Sequence, residues 1–262
     1  MTRNSLTNQT TPLVNFMIVG THKGGTTALN HFLDKHAEIH MAPIKETHFF
    51  DQENLFGNGQ PDYSAYHSFF EPERKPAVKM IGEANPCYMF LPRVAPRLKE
   101  YNPALKLIVM LRHPVERAYS HYNMIVRMEK EYLPFYNALR VEEIRLGAVA
   151  QNYIFTGPTT IYSYKSRGFY AGQIKNLLNY FPREQILFLR NEELLKQHSE
   201  TLQKIFDFLG VPNDPSIGPE KIFEGANPPL EGHIRAELLK LYEADITELE
   251  QLLGWDLTAW RH

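Results

Sequence analysis

The sequence has one cysteine, Cys87, in 262 residues. A single thiol cannot form an internal disulfide, and it excludes zinc sites built mainly from cysteine. Low cysteine content is also typical of reducing compartments, so we expect a cytoplasmic location. Long apolar runs are missing from the first dozen residues, which are polar and do not have the pattern of a signal peptide or a membrane anchor. We therefore expect a flexible leader over residues 1–13 and no membrane partner.

The sequence also has no excess of charge of one sign. Its 28 basic residues oppose 30 acidic residues and leave a net charge of -2. Proteins that bind nucleic acids or anionic membrane surfaces usually carry a surplus of Lys and Arg. We therefore expect no nucleic-acid partner, and an anionic ligand would have to be held by a small local group of donors.

Short apolar runs alternate with amphipathic segments along the chain. The runs are too short for helices and are apolar on both faces, which is typical of central parallel strands. They cover residues 14–19, 78–81, 107–111 and 186–189. The segments between them repeat apolar residues at helical spacing. The longest such stripe contains Ile234, Leu238, Leu241, Leu249 and Leu252. The alternation predicts an α/β fold, with a central parallel sheet flanked by helices in a single domain over residues 14–262.

Ligands of such sheets bind at the carboxyl ends of the strands, where the first run is followed by a glycine-rich segment, residues 20–27 (GTHKGGTT). A turn of this kind between a strand and a helix directs free backbone N–H groups and the positive end of the helix dipole at one point, which favours phosphate binding. Gly24 and Gly25 allow close approach of the backbone, Thr26 and Thr27 add hydroxyl donors, and Lys23 adds a positive charge. The alternative is a turn that only connects strand to helix.

The loop differs from the triphosphate-binding motif G-x-x-x-x-G-K-[ST]. In that motif a lysine follows the last glycine and reaches the β- and γ-phosphates. Here Thr26 occupies the place of that lysine, and Lys23 lies three residues earlier. The shift indicates a shorter ligand with a different bond to break. A small-molecule kinase with a divergent loop is an alternative interpretation.

The run over residues 107–111 is followed by Arg112 and, eight residues later, by Ser120. Pro114 is placed to start a helix, so Ser120 would lie about two turns into it. A triphosphate-hydrolysing enzyme would have an aspartate for magnesium at such a strand end. A guanidinium and a hydroxyl instead suit a phosphate monoester bound without metal. The alternative for Arg112 is an interior ion pair with Glu83.

Taken together, the two strand ends resemble the sulfotransferases that use 3′-phosphoadenosine 5′-phosphosulfate (PAPS). Residues 20–27 are similar to the 5′-phosphosulfate loop of that family, and residues 111–122 (LRHPVERAYSHY) are similar to its 3′-phosphate motif. The likeness continues through residues 167–194 and covers most of the chain. It implies the P-loop-like sulfotransferase fold, PAPS as donor, adenosine 3′,5′-bisphosphate (PAP) as product and no metal. It further implies that the 3′-phosphate is bound by Arg112 and Ser120. The residues that it implies for the 5′-phosphosulfate are Lys23, Gly24, Gly25, Thr26 and Thr27.

A third segment, residues 45–51 (KETHFFD), resembles the K-E-x-H-F-F-D stretch of the heparan-type carbohydrate sulfotransferases. The resemblance implies that Glu46 is the catalytic base. If the segment is extended, Glu46 and His48 share one face and both can reach an acceptor hydroxyl. We expect Glu46 to take the acceptor proton, His48 to assist or align the acceptor, and Lys23 to neutralise charge on the leaving phosphate.

Other interpretations of these two residues are open. Glu46 could form a salt bridge to Lys45 or Lys23, and His48 could be a packed histidine beside two phenylalanines. The sequence also departs from the heparan-type pattern, which has E-K-[ST]-P where this chain has Glu83-Ala84-Asn85-Pro86. Either Lys23 acts alone or another cation replaces the missing lysine. We rank four further residues lower as ligand contacts: Arg167, Gly168, Tyr170 and Lys221.

These observations predict a sulfotransferase that modifies a hydroxyl or an amine of a small-molecule natural product or a carbohydrate. The departure at Ala84 argues against a strictly heparan-modifying enzyme, as does the balanced charge. Besides the kinase, a non-catalytic nucleotide-binding module is a possible alternative. Intact Lys23 and Glu46 argue against that module.

Overall fold

The computed structural model describes residues 13–57, 61–70, 77–147, 157–222 and 227–262. Its described part contains one five-stranded sheet in the order β2-β3-β1-β4-β5, and every pair of neighbouring strands is parallel. The strands are β1 (Phe16–Gly20), β2 (Ile39–Met41), β3 (Met80–Ala84), β4 (Lys106–Leu111) and β5 (Ile186–Arg190). Residues 1–12 of the expected leader lie outside the described residues.

Twelve α-helices connect and cover the strands in the described part of the chain. They are α1 (Thr26–Lys35), α2 (Glu53–Phe56), α3 (Tyr63–His67), α4 (Val94–Tyr101), α5 (Pro114–Arg127), α6 (Phe135–Arg140), α7 (Glu142–Leu146), α8 (Gly157–Tyr162), α9 (Tyr170–Leu178), α10 (Asn191–Lys196), α11 (His198–Leu209) and α12 (Gly232–Leu253). None of the helices searched in these ranges is long and apolar enough to cross a membrane.

The strands bury side chains on both faces of the sheet. Along β1, Met17 and Val19 belong to one apolar core, whereas Phe16 and Ile18 belong to the other. The first core packs against α4, α5, α9 and α12, and the second against α1 and α11. Because successive side chains of a strand point to opposite faces, a central strand needs apolar residues at every position. The predicted α/β fold with a central parallel sheet is confirmed, whereas a single domain over residues 14–262 stays a prediction.

The structure corrects three details of the sequence interpretation. Strand β2 was not predicted, because it has three residues and no apolar run. Strand β3 begins two residues later than the predicted run over residues 78–81 and extends three residues beyond its end, so Glu83 and Ala84 lie within the strand. In α12, Leu241 is 41% exposed, and the buried stripe runs through Tyr242 and Ile246 instead.

The strand order places the predicted binding motifs side by side. Strand β1 lies between β3 and β4, and the chain passes from one side of β1 to the other between these two neighbours. Ligands of open parallel sheets bind at such a switch in strand order, beyond the carboxyl ends of the strands. The glycine-rich loop follows β1 and Arg112 follows β4, so both motifs lie at this switch.

Candidate active site

The glycine-rich loop connects β1 directly to α1. Lys23 and Gly25 have φ angles of 67° and 97°, in the left-handed region, and these turns bring the chain back into the helix. The side chain of Asn191, the residue directly after β5, donates a hydrogen bond of 3.0 Å to the carbonyl of Gly24. This bond ties the loop to the end of β5. The N-cap residue of helix α1 is Gly25, and no side chain accepts a hydrogen bond there from the first N–H groups of the helix. These N–H groups are therefore available to an anion.

The second motif begins at the end of the neighbouring strand. Arg112 follows β4, and its guanidinium donates a hydrogen bond of 3.2 Å to the carbonyl of Lys23 in the loop. The hydroxyl of Tyr170 donates to the carbonyl of Arg112 at 2.8 Å. Ser120 lies on the buried side of α5. The two motifs are therefore in direct contact.

The ion pair considered for Arg112 is not formed. The carboxylate of Glu83 accepts hydrogen bonds from Thr47, Tyr66 and Tyr88 instead. This interpretation of Arg112 was wrong, because Glu83 lies within β3, where its side chain is enclosed by other hydrogen-bond donors.

A cavity of about 630 Å³ brings most of the predicted residues together. Seven of them are among the residues that line it: Lys23, Gly25, Thr26, Thr27, Glu46, Arg112 and Ser120. Two predicted residues, Gly24 and His48, are not among the described lining residues. Gly24 is held within the loop by a hydrogen bond of 2.8 Å from its N–H to the carbonyl of Thr21.

Glu46 combines two of the arrangements considered from the sequence. Its carboxylate contacts the ammonium of Lys45, and it also lines the cavity. The salt bridge is thus formed with Lys45. The other carboxylate oxygen lies 3.9 Å from the Nε2 atom of His48.

The segment around Glu46 is not extended, so the condition under which Glu46 and His48 would share one face of a strand is not met. Glu46 and His48 have φ angles of 63° and 54°, in the left-handed region that residues other than glycine rarely adopt. The two side chains nevertheless lie close together. Local backbone turns, rather than the alternation of a strand, produce this proximity.

His48 is held by a buried carboxylate. Its Nδ1 atom lies 2.8 Å from a carboxylate oxygen of Asp51, whose side chain is enclosed. Burial acts to lower the pKa of His48, but the hydrogen bond with Asp51 and the charges of Asp51 and Glu46 outweigh it and raise the pKa. At neutral pH a larger fraction of His48 is therefore protonated than of an isolated histidine, and the protonated ring can donate a hydrogen bond to an anion.

Lys23 lies among other cations. Burial lowers the pKa of its ammonium, and the charges of Arg127, Arg112 and Lys45 lower the pKa further, against the opposing effect of Glu46. Repulsion of this kind is relieved when an anion binds among the cations. In the described ranges, no group of three or more His, Cys, Asp or Glu side chains is placed to hold a metal ion.

Comparisons with known proteins identify the family of the chain. The family model described as the sulfotransferase domain matches residues 14–222. The chain belongs to the sulfotransferase family. A crystal structure of a sulfotransferase from Alicyclobacillus acidocaldarius superimposes with a TM-score of 0.80 at 33% sequence identity, covering 96% of this chain and all of that one.

Two curated relatives show how far the likeness extends. Heparan sulfate glucosamine 3-O-sulfotransferase 6 of Homo sapiens is 34% identical, over 74% of this sulfotransferase and 52% of the relative. The membrane-associated sulfotransferase kil1 of Dictyostelium discoideum is 24% identical, over 93% of this chain and 66% of the relative. The chain thus spans about half to two thirds of the length of these relatives. The family match favours a sulfotransferase over the kinase considered from the sequence.

Several cavity residues of this sulfotransferase were missed in the sequence. They are His22, Ala28, Lys45, Pro86, Met124, Arg127 and Asn227. Arg127 lies seven residues after Ser120 on the same helix, and this spacing could have identified it. No local pattern in the sequence marks Asn227.

The four residues ranked lower lie outside the cavity lining that the structure describes. Arg167 is buried and donates to Ser163 and to the carbonyl of Thr159. Gly168 packs against the ring of Tyr242. The hydroxyl of Tyr170 donates a hydrogen bond to the carbonyl of Arg112. Lys221 is exposed.

Substituting Gly24 by Ala is expected to destabilise the fold. The added Cβ atom would lie 2.5 Å from the carbonyl oxygen of Met110 and 2.8 Å from that of Thr21, which are backbone atoms and move little. Such overpacking costs about 1–3 kcal/mol of unfolding free energy. Chemical denaturation monitored by circular dichroism measures it. The matched control is Gly172→Ala in α9, where a Cβ atom meets nothing within 4 Å and stability should not fall. Equal stability of both variants would contradict the described loop.

Proposed function

We propose that this sulfotransferase transfers the sulfuryl group of PAPS to a hydroxyl or amine of a small-molecule natural product or a carbohydrate. The observation that carries the proposal is the contact between the two predicted anion sites at 3.2 Å, beside a cavity that Glu46 also lines. One ligand with a phosphate at each end fits this arrangement. A name among the relatives, heparan sulfate glucosamine 3-O-sulfotransferase, supports a carbohydrate as one acceptor class.

Each end of the donor has fitting residues. The uncapped start of α1, with Thr26 and Thr27, and the cation Lys23 suit the 5′-phosphosulfate. Arg112 and Ser120 suit the 3′-phosphate, because a guanidinium and a hydroxyl can donate to one dianion. The lowered pKa of Lys23 reflects burial and the three cations around it, and the negative charge of the donor would offset that repulsion.

The proposed reaction is an in-line displacement at sulfur. A bond forms between the acceptor oxygen or nitrogen and sulfur, and the bond between sulfur and the bridging phosphate oxygen breaks. Glu46 takes the acceptor proton on the carboxylate oxygen that Lys45 does not hold. Lys23 neutralises the charge that grows on the leaving phosphate of PAP. His48, fixed by Asp51, is not among the described lining residues, and it assists by orienting the carboxylate of Glu46 toward the acceptor.

Two further cations lie near Lys23 and are candidates to replace the missing lysine. Ala84 is buried in β3, where the heparan-type motif has lysine. Lys45 and Arg127 line the cavity and act electrostatically on Lys23. We infer that these cations replace the missing lysine near the sulfuryl group.

The direct test is transfer from PAPS with labelled sulfur to a panel of hydroxyl and amine acceptors, read by mass spectrometry. We expect a sulfated product, PAP as co-product, and full activity with excess chelator. ATP in place of PAPS should give no phosphorylated product. Phosphorylation from ATP, activity lost on chelation, or PAP that does not bind to the protein would overturn the proposal. Binding of PAP without transfer to any acceptor would favour the non-catalytic module.

A further inference from the structure

Two residues at the carboxyl end of β3 each accept hydrogen bonds from one residue of the segment that carries Glu46. The backbone N–H of Glu46 donates to the carbonyl of Ala84 at 3.1 Å. Thr47 donates to the carboxylate of Glu83 through its backbone N–H at 3.1 Å and through its hydroxyl at 2.7 Å. The strand end therefore acts as a support for the segment.

Glu83 has an unusual environment for a carboxylate. Its side chain is fully buried, and besides Thr47 it accepts hydrogen bonds from the hydroxyl of Tyr66 at 2.7 Å and of Tyr88 at 3.1 Å. No Lys, Arg or His of the described residues forms an ion pair with it. Burial raises the pKa of Glu83 although these hydrogen bonds act to lower it. A buried acid without a paired cation costs stability, so Glu83 is an expensive way to fill this position of the core.

The segment that Glu83 supports, residues 46–48, has an unfavourable backbone conformation. Glu46 and His48 both have positive φ angles, and Thr47 lies between them. Left-handed backbone at residues other than glycine is unfavourable and persists only where the surroundings enforce it. The two hydrogen bonds from Thr47 to Glu83 are the contacts that fix the residue between these turns.

We propose that Glu83 is a positioning residue for sulfuryl transfer. Its carboxylate holds Thr47 and thereby keeps the carboxylate of Glu46 in the cavity and within reach of His48. Glu83 itself lies outside the cavity lining among the described residues and acts through Thr47. The inference rests on the proposed function, since it assigns a role in the same reaction.

The chain offers a matched control for Glu83. Glu142 is also buried, and its carboxylate accepts backbone hydrogen bonds from Lys165 at 2.6 Å and from Ser166 at 2.9 Å. Burial raises the pKa of Glu142 as well. It is not one of the described residues around the cavity. Glu142→Met should therefore leave buried donors unpaired, as Glu83→Met does, without moving Glu46.

Both hydrogen bonds from Thr47 go to the same carboxylate oxygen of Glu83, so a glutamine would keep them through its amide oxygen. The experiment therefore compares Glu83→Met with Glu142→Met in the full chain, because methionine has neither carboxylate oxygen. Transfer is measured with PAPS and whichever of p-nitrophenol and a glucosamine-containing oligosaccharide the unmodified enzyme sulfates faster. We expect Glu83→Met to lower kcat by about 10- to 100-fold, the loss typical of a displaced catalytic group. Its Kd for PAP should not change, because the two anion sites do not contact Glu83. Amide hydrogen exchange should become faster at Thr47 in Glu83→Met only.

Thr47 gives a second pair of variants in case Glu83→Met does not fold. Thr47→Val removes the hydroxyl donor and should lower kcat, whereas Thr47→Ser keeps the donor and should retain kcat. The positioning role is wrong if Glu83→Met keeps both kcat and slow exchange at Thr47, or if Glu142→Met loses kcat equally. It is also wrong if Thr47→Val and Thr47→Ser have equal activity. If the unmodified enzyme transfers no sulfuryl group, the proposed function fails first.

Discussion

Substituting Glu46 by Gln is expected to lower kcat by about 10²- to 10⁴-fold, which is the usual contribution of a positioned general base. The amide has nearly the shape of the carboxylate but cannot accept the acceptor proton. Affinity for PAP should stay the same, because Glu46 is not part of either anion site. Steady-state kinetics with labelled PAPS and calorimetry with PAP measure the two effects.

The control for this substitution is Glu248→Gln. Glu248 forms an ion pair with Lys175 on the protein surface, as Glu46 does with Lys45 in the cavity, so both variants remove one paired carboxylate. We expect Glu248→Gln to keep full activity. A Glu46→Gln variant that remains active would show that another group, with His48 as the first candidate, takes the proton.

Lys23→Ala and Arg112→Ala are expected to affect different steps. Removing Lys23 should lower kcat by about 10²- to 10³-fold, as is typical when a group that stabilises developing charge is lost. Its effect on the Kd for PAP should be smaller than its effect on kcat. Removing Arg112 should weaken PAP binding by about 10- to 100-fold, since hydrogen bonds to charged groups contribute about 1.5–3 kcal/mol.

The two variants are compared by single-turnover kinetics at saturating PAPS and by PAP titration. Arg112→Lys is the matched variant for charge, and it should recover only part of the affinity because a lysine cannot form two parallel hydrogen bonds. Small and equal effects of Lys23→Ala and Arg112→Ala on both measurements would contradict the assignment of the two anion sites.

The parts of the fold that were predictable depend on local pattern. Strands β1, β4 and β5 are apolar on both faces, and the glycine-rich loop and Arg112 follow two of these strands directly. Since parallel strands end at the same edge of the sheet, the proximity of Lys23 and Arg112 followed from their positions. The fold and the family were therefore within reach of the sequence.

The remaining features depend on contacts between distant segments. The backbone turns at Glu46 and His48 are supported by residues of β3, and no local pattern predicts positive φ at a glutamate or a histidine. Arg127 and Asn227 both line the cavity and share a hydrogen bond, although they are 100 residues apart in the sequence. Leu241 fitted the helical repeat, yet helix α12 buries Tyr242 instead. Packing, not periodicity, decides such cases.

The positions with left-handed backbone lead to a practical consequence. Among the described residues, four other than glycine have positive φ, and three of them are Lys23, Glu46 and His48. Glycine at any of these positions relaxes the backbone, and we expect it to raise the unfolding temperature. A selection for heat resistance alone would thus tend to replace these three side chains, and it should yield sturdier proteins that have lost their catalytic power.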